Sequence, residues 1–260
     1  FSMWNRIQIK ENAKYTVKQY YWMSILAMLI VYGISYVASS VIVGVYYVFM
    51  TIVGTVTAML QTAMNNSVGN WITVMVMFVL VLLVYVIAFG VSICVQMPLM
   101  VGYNRFCCVS RHRKAEIGEL FFSFQKDYYG NSRYKQTAKT SFFYMLYIFL
   151  WSLLFVVPGI VKSYEYFAVP YIMAENPNIS TKRAFEISKF MTDGEKANLF
   201  VMQLSFIGWF LLGLLACCVG EYFVYPYFFA AQAEAYEYLR TKAITCGFVR
   251  EDELVGFYEA

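Results

Sequence analysis

The chain has 260 residues, of which 60% are hydrophobic, 20% aromatic and only 14% charged, and its formal net charge is +4. This composition lies well outside the usual range for a soluble domain. The stretch from Gln19 to Asn104 contains no Lys, Arg, Asp, Glu or His, which is incompatible with a water-facing surface of that length. The sequence therefore predicts an integral membrane protein and excludes an ordinary soluble domain.

The chain starts with Phe1-Ser2 ahead of Met3, and these two residues resemble the remnant of a cleaved tag. We set them aside and expect residues 3–260 to form a single membrane domain.

Six apolar segments predict membrane helices, because roughly 20 apolar residues cross the hydrocarbon core. The predicted helices span about 21–48, 71–96, 141–158, 162–176, 198–220 and 221–239. With both termini in the cytoplasm, the positive-inside rule places every Lys and Arg except Lys162 on the inner side. We therefore predict an all-α, polytopic helical bundle with about six transmembrane helices in three hairpins.

Prolines mark the helices that return to the cytoplasm. Pro158-Gly159 is predicted to be the outer turn of the middle hairpin, and Pro170 and Pro226 are predicted to break two helices. Pro98 holds a similar place in the first hairpin, so a threefold repeat is one interpretation. The helix at 162–176 is short at ~1.5 Å per residue, so we expect a thin, shielded or re-entrant passage there.

Two segments between the hairpins are predicted to be cytoplasmic, about 105–139 and 180–196. The first is basic and aromatic, which suits an anionic headgroup layer. Residues 180–194 have the pattern of an amphipathic helix on the inner membrane surface, with Ser180 as N-cap and Gly194 as the stop.

Several ordered motifs carry a family resemblance. They are LWSLLFVVPGIVKSYEYFAVPYIMAENP, then KRAFEISKFMTDGEKANLFVMQLSFIGW, then VYPYFFAAQAEAYEYL. The chain resembles, over most of residues 7–240, a family of bacterial integral membrane proteins of unknown function, DUF975. The resemblance implies a bacterial plasma-membrane location and this architecture, and it supplies no catalytic residues. Glu175 and Ala197 depart from the family pattern without affecting the expected fold.

Glu234 is the best candidate for a ligand-binding residue, because a carboxylate within a membrane helix usually faces a partner or an aqueous cavity. Tyr227, Glu234 and Tyr238 share one helical face. With Gln203 and with Tyr166 or Tyr171, they could line an inward-facing polar pocket. The alternative is a structural carboxylate paired with Arg240 or with a basic residue of 105–139.

Other carboxylates have simpler expected roles. Glu165 lies three residues from Lys162, a spacing that predicts an ion pair. Glu175 precedes Asn176-Pro177, and we expect it to cap the helix or to pair with Lys182 or Arg183.

No enzyme signature is present in the sequence. It has one histidine, His112, and lacks the zinc-protease, nucleophile-elbow, P-loop and dinucleotide motifs. The six cysteines have weak metal spacing, and Cys107-Cys108 are either apolar packing residues or sites of reversible acylation. The sequence thus predicts no catalytic residues, no metal and no cofactor, while an intramembrane site assembled across helices stays open.

These observations favour a non-enzymatic membrane module that binds lipid, a hydrophobic peptide or a small amphipathic molecule. A small secondary transporter is the first alternative, because the hairpins look repeated and the helices broken. A scaffold that recruits a protein through residues 180–194 is the second. Membrane lipids are the expected partners, and nucleic acid is not expected.

Overall fold

The computed structural model describes residues 4–64, 67–126, 130, 132–215 and 220–257. In that part of the chain the regular elements are helices, apart from an isolated bridge between Lys126 and Ser132. The all-α class is confirmed. Phe1 and Ser2 lie outside the described residues.

The helices follow one another with short connections. In chain order they are α1 (Arg6–Met64), α2 (Ser67–Val91), a π-helix (Ser92–Gln96), α3 (Met97–Val109), a 3-10 helix (Ile117–Phe124), α4 (Arg133–Leu154), α5 (Val156–Glu165), α6 (Val169–Glu175), α7 (Thr181–Thr192), α8 (Lys196–Leu204), α9 (Ile207–Leu215) and α10 (Glu221–Thr245).

By its internal contacts the chain divides into two compact units, and the single membrane domain expected from the sequence stays a prediction. The main unit comprises Phe1–Val31 and Met97–Ala260, and the apolar unit comprises Tyr32–Gln96. The apolar unit contains the second part of α1, α2 and the π-helix, and many of its large apolar side chains are exposed. The π-helix comes just before Pro98, whose missing N–H explains the local change in hydrogen bonding.

Three stretches of the described chain are long and apolar enough to cross a membrane: Arg6–Met59, Thr73–Val109 and Lys196–Leu215. They overlap the predicted helices at 21–48, 71–96 and 198–220. The remaining apolar helices fall short of this length or apolarity. Helix α5, for example, has ten residues, which is about 15 Å of helix against a hydrocarbon core of about 30 Å.

The predicted position of the turn in the middle hairpin was wrong. The chain turns at Phe155, whose φ of −161° and ψ of 149° are extended, rather than at Pro158-Gly159. Pro158 instead lies in the first turn of α5, a position that needs no N–H donor. Gly159 permits the two helices to touch, because a Cβ there would lie 2.3 Å from Ser152 Oγ.

The predicted proline breaks were also wrong. The break between α5 and α6 precedes Pro170, which lies in the first turn of α6. Pro226 lies inside α10, which runs without interruption from Glu221 to Thr245. The break that the sequence analysis missed separates α8 from α9 at Ser205 and Phe206.

The amphipathic helix at 180–194 is confirmed as α7. Ser180 is its N-cap and accepts a hydrogen bond from the Arg183 backbone N–H, and Gly194 follows it with a φ of +75°. The predicted apolar face of α7, including Ala184 and Ile187, is fully buried against the rest of the main unit.

Candidate functional site

Glu234 is held by an arginine of the basic segment, as the structural alternative anticipated. Arg111 Nε and Nη2 donate to the two carboxylate oxygens of Glu234 at 2.7 and 3.0 Å. A two-pronged contact of this kind is the strongest ion-pair geometry available to arginine. Burial lowers the pKa of Arg111, but the Glu234 carboxylate outweighs that effect and raises it above the ordinary value. Arg240 pairs instead with Glu175.

The Glu175 carboxylate is completely buried and accepts three hydrogen bonds. The donors are Tyr236 Oη at 2.6 Å, Arg240 Nε at 2.8 Å and the Gly256 backbone N–H at 2.6 Å. Neither Lys182 nor Arg183, the partners expected from the sequence, pairs with it. Arg183 binds Glu253 instead, at 2.9 Å. Glu175 is therefore a structural group that fastens the C-terminal segment to α6 and α10.

The predicted ion pair between Lys162 and Glu165 is confirmed at 2.7 Å, and it is part of a larger cluster. Lys196 contacts the same carboxylate at 2.8 Å and Lys189 at 3.7 Å. Lys162 and Lys196 thus share one carboxylate and lie at the same depth. The six-crossing arrangement predicted from the positive-inside rule has these two lysines on opposite membrane faces, which this geometry contradicts.

Glu234 and Tyr238 line a cavity of about 540 Å³, which we call the polar cavity. Its other walls come from the first turns of α1, from Arg111 and from the last turns of α10. They include Asn5, Gln8, Ile9, Asn12, Glu237, Thr241 and Thr245. Because Arg111 also reaches Glu237 at 3.1 Å, the charges at this cavity are paired with one another. These ion pairs join the segment that follows α3 to α10.

The structure does not bring the six predicted ligand residues to one place. Tyr227 packs edge-on against Phe206, with 5.0 Å between the ring centroids. It lines a separate cavity beside Lys10. Tyr166 belongs to an aromatic cluster in which its ring lies 4.9 Å from that of Phe185. The shared helical face was a correct inference, but Tyr227 and Tyr238 are about 16 Å apart along α10 at ~1.5 Å per residue.

Gln203 and Tyr171 do lie together, in a cavity of about 300 Å³ that we call the carboxamide cavity. Helices α3, α4, α5, α6, α8 and α10 all contribute to it. Its lining is made of carboxamides, hydroxyls, methionines and aromatic rings: Met97, Met100, Asn104, Tyr144, Ser163, Tyr164, Phe167, Pro170, Tyr171, Gln203, Phe229 and Gln232. None of these side chains carries a charge.

Three carboxamides in this cavity have unused hydrogen-bonding capacity. Tyr164 Oη donates to Gln203 Oε1 at 2.8 Å, and Tyr171 Oη donates to Gln232 Oε1 at 3.1 Å. Both glutamine NH2 groups are left without an acceptor among the described residues. Asn104 is only 5% exposed, and its side chain makes no hydrogen bond within the described chain. The side-chain N and O atoms of these three residues are not among the fully buried unpartnered atoms of the described chain, so they reach the open space of the cavity. A bound group could take the place of water as their hydrogen-bond partner.

Sequence reasoning missed Asn104, Gln232 and Tyr164. Asn104 ends the uncharged stretch that begins at Gln19, and an amide in so apolar a run is itself a signal. Gln232 lies one turn from Phe229 and two residues before Glu234, whose charge drew attention away from it. No group of three or more His, Cys, Asp or Glu side chains in the described chain could hold a metal ion.

In its described part the protein is all-helical, with stretches apolar enough to span a membrane and a cavity lined by uncharged polar and apolar side chains. A family profile described as "Protein of unknown function (DUF975)" matches residues 78–243, and the chain belongs to this family. The match begins well after residue 7, where the sequence resemblance placed its start. No curated protein and no solved structure matches the chain.

Proposed function

We propose that the chain is a non-enzymatic module of the bacterial plasma membrane that binds an amphipathic molecule in the carboxamide cavity. We keep four of the six predicted crossings and leave out those at 141–158 and 162–176. The four are formed by α1, by α2 together with α3, by α8 together with α9, and by α10. An even number of crossings keeps both termini on one side. The positive-inside rule assigns that side to the cytoplasm.

The unpartnered Asn104 amide carries this proposal. It is buried in an apolar segment and lines a cavity whose volume, about 300 Å³, lies at the lower end of the range for small-molecule sites. The NH2 groups of Gln203 and Gln232 also have no hydrogen-bond acceptor among the described residues. An occupant with carbonyl or hydroxyl oxygens would satisfy all three side chains at once.

The lining also limits the chemical class of the occupant. Because the cavity contains no charged side chain, a charged group placed there would be desolvated without a counter-ion. Met97, Met100, Phe167 and Phe229 provide adaptable apolar walls. An ester or amide carbonyl attached to an apolar chain fits both features, and a neutral glycerolipid is the simplest molecule of this class.

The test is a binding titration of Asn104→Leu with a short-chain diacylglycerol, followed by native mass spectrometry of the detergent-solubilised chain. We expect about five- to tenfold weaker binding than in the wild type, the equivalent of about one hydrogen bond. The unliganded variant should be as stable as the wild type, because leucine replaces an unpaired amide with little change in volume.

Gln8→Leu is the matched control, since Gln8 is an exposed carboxamide of the polar cavity. It should bind the probe as the wild type does. Equal affinity in Asn104→Leu and the wild type, or no binding to the wild type at all, would reject the proposal.

The transporter and scaffold alternatives stay predictions. A transporter would show substrate flux in liposomes that is lost in Glu234→Gln, but the bidentate Arg111 contact gives Glu234 a structural role already. A scaffold would yield protein partners on crosslinking from α7. Bound lipid without flux and without such partners favours the binding module.

A further inference from the structure

The α4–α5 hairpin ends in an exposed, entirely apolar tip. The tip comprises Leu153, Leu154, Phe155, Val156 and Val157, whose exposed fractions lie between 64% and 73%. A turn that emerges into water is normally built from Gly, Asn, Asp or Ser. Five consecutive large apolar side chains with nothing covering them require an apolar medium or a partner surface.

The returning arm of this hairpin is too short to reach the far side of a bilayer, and the entering arm runs only about 21 Å from Thr140, where it contacts α7, to Leu154. Lys162 lies six residues after Val156, which is about 9 Å along α5. The hydrocarbon core is about 30 Å thick. Measured from the level of Lys162, the tip therefore reaches no deeper than about one leaflet.

Both arms are anchored to the same short charged region. On the entering arm, Gln136 Nε2 donates to the Ile179 carbonyl at 2.7 Å, and the hydroxyls of Thr140 and Thr181 are 3.0 Å apart. On the returning arm, the hydroxyls of Ser188 and Thr192 donate to the Glu165 carbonyl at 2.8 and 3.1 Å. Thr181 and Thr192 are the ends of α7, a twelve-residue helix. One helix of that length cannot lie on both sides of a membrane.

A cluster of lysines surrounds the hairpin where it meets this region. Lys162, Lys189 and Lys196 converge on the single carboxylate of Glu165, so the cluster has an excess of positive charge. Lys189 and Lys196 are 58% and 33% exposed and have further N–H donors to offer. This is the charge that anionic lipid headgroups attract.

We propose that the α4–α5 hairpin is a re-entrant membrane anchor. It enters the leaflet next to α7, turns at Leu153–Val157 among the acyl chains and returns to the same side, where the lysine cluster contacts anionic headgroups. The proposal shares with the proposed function only the location in a membrane. It is independent of whether the carboxamide cavity binds a ligand.

The test compares cysteine labelling at three positions in sealed, uniformly oriented vesicles. The variants are Phe155→Cys at the tip, Lys182→Cys on α7 and Glu221→Cys at the start of α10. The Lys182 side chain is 90% exposed. An impermeant maleimide is applied to either face, and labelling is read by peptide mass spectrometry. The tryptic peptide 140–162 contains no natural cysteine, so the native cysteines can stay in place in the Phe155→Cys variant. The peptide 197–240 contains Cys217 and Cys218, so Glu221→Cys is made with both of these cysteines replaced by alanine.

A re-entrant hairpin leaves position 155 unlabelled from both faces and labelled after detergent is added, while positions 182 and 221 react from opposite faces. Labelling of position 155 from the face opposite to 182 would show a transmembrane hairpin. Labelling from the same face as 182 would show a hairpin in water. Either result overturns the proposal.

A photoreactive benzoylphenylalanine at position 155 separates lipid from a second copy of the chain. A lipid adduct on irradiation is the expected result. A crosslinked dimer as the main product would mean that the tip is covered by protein, and it would overturn the proposal even if the cysteine remained protected.

Discussion

Two helical hairpins of the main unit are closed in similar ways and differ in where they turn. In the α4–α5 hairpin, Gly159 lets the helices touch at Ser152. In the α9–α10 hairpin, Gly213 lets α9 touch the start of α10, where a Cβ would lie 2.8 Å from the Glu221 backbone N. The first turn contains only apolar residues, whereas the second leads into the carboxylate of Glu221.

The returning arms differ as much as the turns. Helix α5 has ten residues and α10 has 25, which is about 15 Å against about 37 Å of helix. A carboxylate at a helix N-terminus is favourable where water and the helix dipole both stabilise it. This difference in turn chemistry and arm length is what the re-entrant anchor proposed above requires, with one hairpin that stops in lipid and another that reaches the far side.

A lysine placed at each turn should give the largest difference. Phe155→Lys is expected to cost about 2.5–3.5 kcal/mol of insertion free energy, the price of a cation in hydrocarbon. Glu221→Lys should cost less than about 1 kcal/mol, from the reversed helix-dipole interaction alone. The yield of membrane-integrated protein measures both. Equal yields for the two variants would contradict the difference between the turns.

Alanine at the two contact glycines should destabilise both hairpins by about 1–3 kcal/mol, because each added Cβ overlaps the facing helix. The overlap at Gly159 is mainly with the Ser152 hydroxyl, whereas at Gly213 it is with backbone atoms. Ser152→Ala should therefore partly rescue Gly159→Ala, and no side-chain change should rescue Gly213→Ala.

Thermal unfolding in detergent measures these effects. Gly208→Ala is the control, because a Cβ at Gly208 meets nothing within 4 Å. Alanine there should leave stability unchanged or raise it by up to about 1 kcal/mol. The two contacts would be alike if Ser152→Ala failed to restore stability to Gly159→Ala, or if a side-chain substitution restored stability to Gly213→Ala.

Lys196→Met should loosen the α4–α5 hairpin and leave the α9–α10 hairpin unchanged. It removes one of the two closest partners of the buried Glu165, while Lys162 remains at 2.7 Å. We expect a loss of about 1.5 kcal/mol, the value of a hydrogen bond to a charged group. Hydrogen exchange should rise in residues 156–165 and stay constant in 221–234. The control is Lys182→Met, whose side chain is 90% exposed.

The smallest effect is expected at acid pH, away from both hairpins. The hydrogen bond from Arg183 lowers the pKa of Glu253 below its ordinary value of 4.5. The Arg183–Glu253 contact therefore contributes stability above pH 4.5, and this contribution is lost as the pH falls through the lower pKa of the folded state.

Hydrogen exchange of residues 248–257 should consequently rise below about pH 4.5, while the hairpin tips show no such change. Glu253→Gln should abolish the dependence on pH. An equal acid response in the variant would assign it to another group.

The sequence predicted the helical class, α7 with its cap and stop, and the Lys162–Glu165 pair, because each depends on residues close together in the chain. It placed the turn of the middle hairpin at Pro158-Gly159 because those residues usually mark turns. In the structure the close approach of Ser152 uses Gly159, and the first turn of α5 uses Pro158.

The candidate site was predicted only in part. Gln203 and Tyr171 do share a cavity, but the choice of Glu234 followed from its charge. Its arginine partner, Arg111, lies 123 residues earlier in the chain, and no local pattern could pair them. The unpartnered state of Asn104 is likewise invisible in the sequence, because it depends on six helices that surround one side chain.

The late position of Gly256 has a consequence for biogenesis. Its amide donates to Glu175, which lies 81 residues earlier, and Asn176 donates to the Glu253 carbonyl. At a synthesis rate of about 5–20 residues per second, roughly 4–16 seconds separate the emergence of these partners from the ribosome. During that interval the Glu175 carboxylate lacks the Gly256 donor, so this hydrogen bond forms only after α6 and α10 have both been synthesised.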